Sequence, residues 1–242
     1  RDAEASAERF RRGAPLGPLD GVPIVVKEEF DIAGSGARLG TAFVPERSDA
    51  ADSTPAARLR AAGAVLLGHS PMTEMGMSPL GGNVHRDMPR NAHAADRLAG
   101  GSSTGSGVAV ASGLCPVALG VDGGGSIRIP AAYNGVFGIK PTFGRVSRHG
   151  GCGGTMSTSG PIGASTLDLA VYLEAVSGAD PEDPLTHGTP PVAPGELVGA
   201  VGGGVAGLRI GVLDAEIDAA APEVAAACRE ALRALEAEGA VL

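Results

Sequence analysis

The chain has 242 residues, with 19 basic and 27 acidic side chains for a formal charge of −8, and is 43% hydrophobic. A chain this long buries about 70% or more of its unfolded surface and needs no metal or disulfide staple; its acidity sets it against nucleic-acid phosphates. Cys115, Cys152 and Cys228 are odd in number, far apart and without a CxxC pair, which excludes a disulfide framework or zinc set and favours a reducing compartment.

No run of 18 apolar residues is present to span a membrane, and the charged opening RDAEASAERFRR has no signal-peptide core. Residues 1–12 read as the tail of a helix and 13–20 as turn material. Val22 to Val26 has strand length. Asp52-Ser53-Thr54-Pro55 offers a helix cap with Pro in the first turn, and Ala64 to Leu67 reads as a buried strand. The Gly/Ser tract 99–107 leads into a helix of small residues. Val117 to Val121 is a second buried strand, followed by a Gly-rich turn from Asp122 to Ser126. Leu167 to Val176 has helical spacing, 185–207 is a Pro/Gly-rich linker, and Leu208 to Leu213 reads as a strand. Pro222 to Ala240 is a long amphipathic helix, with Gly239 suited to its end. Alternating helix and strand patterns predict an α/β fold. Val241-Leu242 reads as the start of another strand, and the chain opens on Arg rather than Met. The expectation is therefore one domain over residues 1–242, truncated at the C-terminus and at the N-terminus.

Three segments carry candidate chemistry. Lys27 and Lys140 are the only lysines among the 19 basic residues. Lysine can lose its proton when desolvated, which arginine cannot, and Lys27 ends an apolar strand. A lysine paired with a neighbouring carboxylate is the plainer alternative. The tract Gly100 to Gly107 clusters hydroxyls that can cap the next helix, bind phosphate or serve in catalysis. The run Asp122-Gly123-Gly124-Gly125-Ser126 follows a buried strand. Its successive N–H groups can form a nest for a developing oxyanion, and a flexible turn is the plainer reading.

Other matches fail on context. Gly101 to Gly105 fits G-x-S-x-G around Ser103, but no convincing strand precedes it, and His149 and His187 lie in segments without other signal. Gly202 to Gly207 fits G-x-G-x-x-G but precedes a strand instead of following one. The five histidines show no metal-ligand spacing.

Together, GPLDGVPIVVKEEFDIAG (17–34) and the long segment from Arg97 to Ser147 resemble the amidase signature family of serine hydrolases. Weaker similarity continues through SGPIGASTLDLAVYLEAVSG into LRIGVL. The resemblance implies a mixed twisted sheet flanked by helices on both faces, incomplete here, and amide-bond hydrolysis through a serine acyl-enzyme. By position, Ser126 matches the family's nucleophile. Ser102 matches the bridging serine, which in the family follows a cis peptide bond, and Lys27 matches the lysine base. Gly123, Gly124, Gly125 and the Ser126 amide match the oxyanion hole, and Ser103, Asp122 and Arg128 match supporting positions. Neutral Lys27 is expected to take the Ser102 proton while Ser102 takes that of Ser126. Glu28-Glu29 stands where Asp-Asn is frequent, and carboxylates near Lys27 favour its charged form unless they point away.

The resemblance implies a small-molecule amide substrate, with no cofactor or metal expected; the acidic charge, the lack of an apolar span and the cysteine usage set the expectation of no direct nucleic-acid or membrane partner and a cytoplasmic setting. A homodimer is compatible with it. Richness in Ala and Arg suggests a bacterial gene. Met72, Met75 and Met77 suit either an adaptable apolar wall or the core. The absence of Trp leans the substrate toward small or aliphatic acyl groups. The alternatives are the glutaminase subunit of a tRNA-dependent amidotransferase, an inactive fragment serving as a binding module, and a Gly-rich nucleotide binder.

Overall fold

The computed structural model describes residues 1–151 and 156–242. They divide into two compact units, Arg1–Val198 and Gly199–Leu242. The first contains α1 (Asp2–Arg11), β1 (Pro23–Lys27), α2 (Thr54–Ala61), β2 (Val65–Ser70), α3 (Thr104–Ala111), β3 (Val117–Asp122), α4 (Arg128–Tyr133), β4 (Phe137–Gly138), β5 (Thr158–Gly163) and α5 (Thr166–Val176). The strand order is β2-β1-β3-β5-β4. β1 is parallel to β2 and β3, while β5 is antiparallel to β3 and β4, so the sheet is mixed.

Strand alternation distributes the apolar side chains to two faces. Ile24, Val26, Val117, Leu119 and Val121 pack with Leu59 of α2 and with Tyr172, Leu173 and Val176 of α5. Val25, Ala118 and Ile162 instead pack with Ala109 and Val110 of α3 and Ala131 of α4. Helices therefore cover both faces, the architecture expected from the sequence.

The strong apolar runs form the central strands: all six residues of β3 are buried. β2 lies at the sheet edge rather than in the interior, and Leu67 is 56% exposed. Ser53 occupies the position before α2, but its hydroxyl makes no capping bond. β5 was not legible as a strand. Its sequence, TSGPIG, contains two glycines and a proline, residues that weaken strands in isolation. The sheet overrides this: a Cβ at Gly160 would stand 2.5 Å from the Ile139 carbonyl oxygen, and the Pro161 carbonyl accepts the Ile139 N–H at 3.2 Å.

α6 (Glu196–Ala200) contains the boundary between the units, and the second unit also holds α7 (Asp214–Asp218) and α8 (Pro222–Ala237). α8 has Pro in its first turn, and Gly239 beyond it has φ +94°. Leu208 to Leu213 is not a strand, contrary to expectation. Arg209 makes only an isolated parallel bridge to Val241, and a ladder needs a longer partner than that.

One topological feature locates the site. In the order β2-β1-β3, the chain passes from β1 to β2 on one side and then to β3 on the other. This reversal opens a crevice at the carboxyl ends of β1 and β3. Those ends are Lys27 and Asp122.

Candidate active site

Lys27 closes β1, in register with Ser70 of β2, and is 1% exposed. Its Nζ donates to Ser102 Oγ at 2.8 Å. Ser102 reaches it from the loop before α3, after a cis Gly101–Ser102 peptide. That loop is held by backbone bonds from Gly101 N–H to the Pro79 carbonyl (2.8 Å) and from Thr73 N–H to the Ser102 carbonyl (3.3 Å).

The small residues of α3 have a packing reason. A Cβ at Gly105 would stand 2.4 Å from Pro71, so only glycine allows this approach. Ser106 Oγ donates to the Leu119 carbonyl (2.9 Å) and lies 2.7 Å from Ser70 Oγ, tying α3 to two strands. Ser103 precedes α3 but makes no capping bond. Its hydroxyl donates to the Val121 carbonyl (3.2 Å) and accepts the Val121 N–H (3.3 Å), and its own N–H donates to the Ser126 carbonyl (3.3 Å). Ser103 thus links the Ser102 loop to β3 and to Ser126. The hydroxyl at the centre of the G-x-S-x-G match is committed to structure.

The Gly turn is organised by Asp122. Its carboxylate accepts the N–H groups of Gly125 (2.7 Å), Ile127 (3.2 Å) and Arg128 (3.3 Å), and both oxygens meet the Arg128 guanidinium, at 2.9 and 3.0 Å. Burial pushes this carboxyl up, but the Arg128 hydrogen bond and the three backbone donors outweigh burial and hold it below the usual carboxylate range. Of the three glycines only Gly125 requires glycine: its φ is +127°, and a Cβ would meet Ile129 at 2.6 Å. A Cβ at Gly124 would meet open space, and one at Gly123 would stand 3.3 Å from Ser157 Oγ.

Asp122→Asn is expected to destabilise the protein by about 2 kcal/mol at neutral pH. This is less than breaking a fully buried pair, because Arg128 is more than half exposed. A depressed carboxyl stabilises the folded state above its unfolded pKa of about 3.9, and this contribution is lost as pH falls through the lower folded value. Urea titrations of parent and variant should therefore begin to converge below about pH 4 and meet once pH has passed below the depressed folded value.

Lys27, Ser102 and Ser126 line one cleft of about 560 Å³, with Gly123 and Gly124 on its rim. Met75, Met77, Met156, Ile129 and Val121 supply apolar wall. The three methionines singled out from the sequence part company: Met75 and Met77 line the cleft, while Met72 is buried core. Met75 holds a left-handed backbone at φ 51°, uncommon for a non-glycine residue.

Glu28 and Glu29 also separate. Glu28 turns to Arg86, at 2.6 Å. Glu29 is buried, lines the cleft and places Oε2 2.6 Å from Lys27 Nζ. Only the adjacency of carboxylates to Lys27 was visible in sequence, not which one turns inward.

His187 is engaged elsewhere, with Nε2 3.0 Å from the Asp180 carbonyl. Cys115 is buried and Cys228 exposed, both as free thiols, and Cys152 lies outside the described residues. Among the described residues no cluster of His, Cys, Asp and Glu is arranged to hold a metal, and no helix is long and apolar enough to cross a membrane.

Comparison with known proteins accords with this arrangement. The amidase family profile matches residues 1–242. AtzE of Pseudomonas sp. (strain ADP), which belongs to 1-carboxybiuret hydrolase, is 44% identical over 218 residues, covering 88% of this chain and 46% of that protein. A glutamyl-tRNA(Gln) amidotransferase subunit of Chloroflexus aggregans is 38% identical over 99% of this chain and 49% of its own length. The solved structure of the native peptide amidase from Stenotrophomonas maltophilia matches with a TM-score of 0.86 at 32% identity, over 99% of this chain and 50% of that one. The chain thus spans about half the length of these relatives. With its entire length matched by the family profile and its fold shared with a solved amidase, the chain belongs to the amidase family.

Proposed function

We propose that this chain carries the reacting groups of an amide hydrolase, as part of one amidase-signature domain. The nucleophile is Ser126, the bridging serine Ser102 and the base Lys27. The observation that carries this reading is the buried hydrogen bond between Lys27 Nζ and Ser102 Oγ, on the wall of the cleft that Ser126 also lines. A neutral Lys27 amine takes the Ser102 proton as Ser102 takes that of Ser126. Ser126 Oγ attacks the amide carbonyl, and the developing oxyanion is assigned to the N–H groups of Gly123, Gly124 and Ser126; the Gly125 N–H, expected to share that role, is already given to the Asp122 carboxylate. The relay then runs in reverse: Ser102 gives its proton to the departing nitrogen and regains one from the Lys27 ammonium. Water releases the carboxylic acid from the acyl-enzyme through the same groups. Ser103, Asp122 and Arg128 position this machinery through the bonds described above.

The methionine-lined wall suits a small or aliphatic, uncharged acyl group. The free cysteines fit a reducing, cytoplasmic setting. A second reading, the glutaminase component of an amidotransferase, is favoured by the 38% identity to the Chloroflexus amidotransferase protein over nearly the whole chain. It requires glutamine to be hydrolysed only when partner subunits are present.

Intact mass after treatment with a fluorophosphonate probe tests the central claim. The parent is expected to gain one phosphonyl adduct with loss of fluoride, and Ser126→Ala none. Equal labelling of both, or of neither while both are folded, overturns the assignment.

A further inference from the structure

The chain reverses immediately after β1. The Phe30 and Glu29 N–H groups both turn back to the Lys27 carbonyl, at 3.0 and 2.6 Å. This turn returns the Glu29 side chain alongside that of Lys27. The carboxylate is 8% exposed and the lysine side chain 1%. Glu29 Oε2 lies 2.6 Å from Lys27 Nζ, yet it accepts no well-aligned hydrogen bond from any described residue. A buried carboxylate oxygen without such a donor is costly unless an opposite charge compensates it, and the Lys27 amine is the basic group placed to do so.

We propose that Glu29 is a positioning residue that holds Lys27 in its ammonium form and thereby sets the pH at which the amine becomes available as a base. The inference rests on the reading of Lys27 as the base of the relay. When Lys27 releases its proton to water, the buried Glu29 carboxylate loses its counter-charge. Proton loss is therefore opposed by the pair itself, and removing the carboxylate eases it.

Among the described residues, the other ionisable groups around β1 are engaged elsewhere. His69 on β2 lies 2.9 Å from the Phe30 carbonyl and 3.3 Å from Ser35 Oγ. Asp122 on β3 is paired with Arg128. α3, which also packs on β1, contributes no ionisable side chain. Glu28 beside it is held by Arg86, and Glu74 on the cleft-side loop lies 2.7 Å from His85. Of these described groups, Glu29 places a charge against the amine.

Two readouts test this. The first is the pH dependence of fluorophosphonate labelling of Ser126, corrected for hydrolysis of the probe. In Glu29→Gln the rising limb is expected to move to lower pH by about 1–3 units, the span typical of one adjacent opposite charge. Glu28→Gln is expected to leave it in place. The second exploits the two-lysine composition: ¹³Cε-lysine gives two resonances, and Lys140→Arg identifies that of Lys27. Its titration midpoint is expected to fall in Glu29→Gln. Glu29→Ser carries the same expectation and serves if the Gln variant does not fold.

If the variants label at Ser126 with an unmoved limb, or Lys27 titrates at the same pH in parent and variant, Glu29 has no such role and the relay stands. If the folded parent never labels at any pH, or Ser126→Ala labels equally, the relay falls and this proposal with it.

Discussion

Lys27→Arg is expected to lose as much activity as Lys27→Ala, about 10²–10⁴-fold in the labelling rate of Ser126 and in kcat on any amide the parent hydrolyses. The conservative charge does not help, because the role assigned to Lys27 is to be uncharged when Ser102 gives up its proton. A guanidinium stays protonated throughout the accessible pH range. Geometry adds to this. The ammonium nitrogen sits 2.8 Å from Ser102 and 2.6 Å from Glu29, and a planar fork in the same buried space must displace one of them. The loss should fall in kcat with KM little changed, since the group acts on the proton in flight and not on substrate binding. Retention of most activity in Lys27→Arg would remove the general-base role and leave Lys27 as a structural cation.

Ser102→Ala is the second large effect, again about 10²–10⁴-fold. It removes the hydroxyl through which the amine is proposed to act, and removes one partner of the buried Lys27 Nζ. The double variant Lys27→Ala/Ser102→Ala should be little worse than the poorer single variant. Residues that form one proton path are grossly non-additive: once either is gone the path is already broken. Single-turnover labelling of the four proteins in this cycle gives the coupling directly. Additive losses would mean that the two side chains assist independently.

The site was partly legible from residue types alone. A chain with two lysines among 19 basic residues marks Lys27 as unusual, and its place after an apolar run sets it at a strand end. The tract 100–107 and the turn 122–126 were visible as glycine and hydroxyl clusters, but residue types made capping the default for the tract's serines, and set an oxyanion nest against a flexible turn for 122–126. Their separate roles emerge from long-range contact. Ser103 and Ser106 bind β3, while Ser102 faces Lys27, across 75 residues of sequence. No local pattern distinguishes three neighbouring serines that the start of one helix points in different directions.

By itself the sequence determined the elements whose apolar spacing is strong, β1, β3, α5 and α8, together with the α/β class, and the resemblance of segments 17–34 and 97–147 gave the family. Local periodicity and composition suffice for the elements and the class, because burying each apolar face has one main solution. Tertiary structure decided the rest. β5 became a central strand despite its glycines and proline, because flanking strands supply the ladder and require the close approach. Leu208 to Leu213 stayed outside any strand, because a single bridge at Arg209 is all the ladder it finds. Of two adjacent glutamates, Arg86, 58 residues along the chain from Glu28, draws that one aside, and the turn after β1 brings Glu29 to the lysine. The direction of a charged side chain depends on which opposite charge the completed fold places within reach.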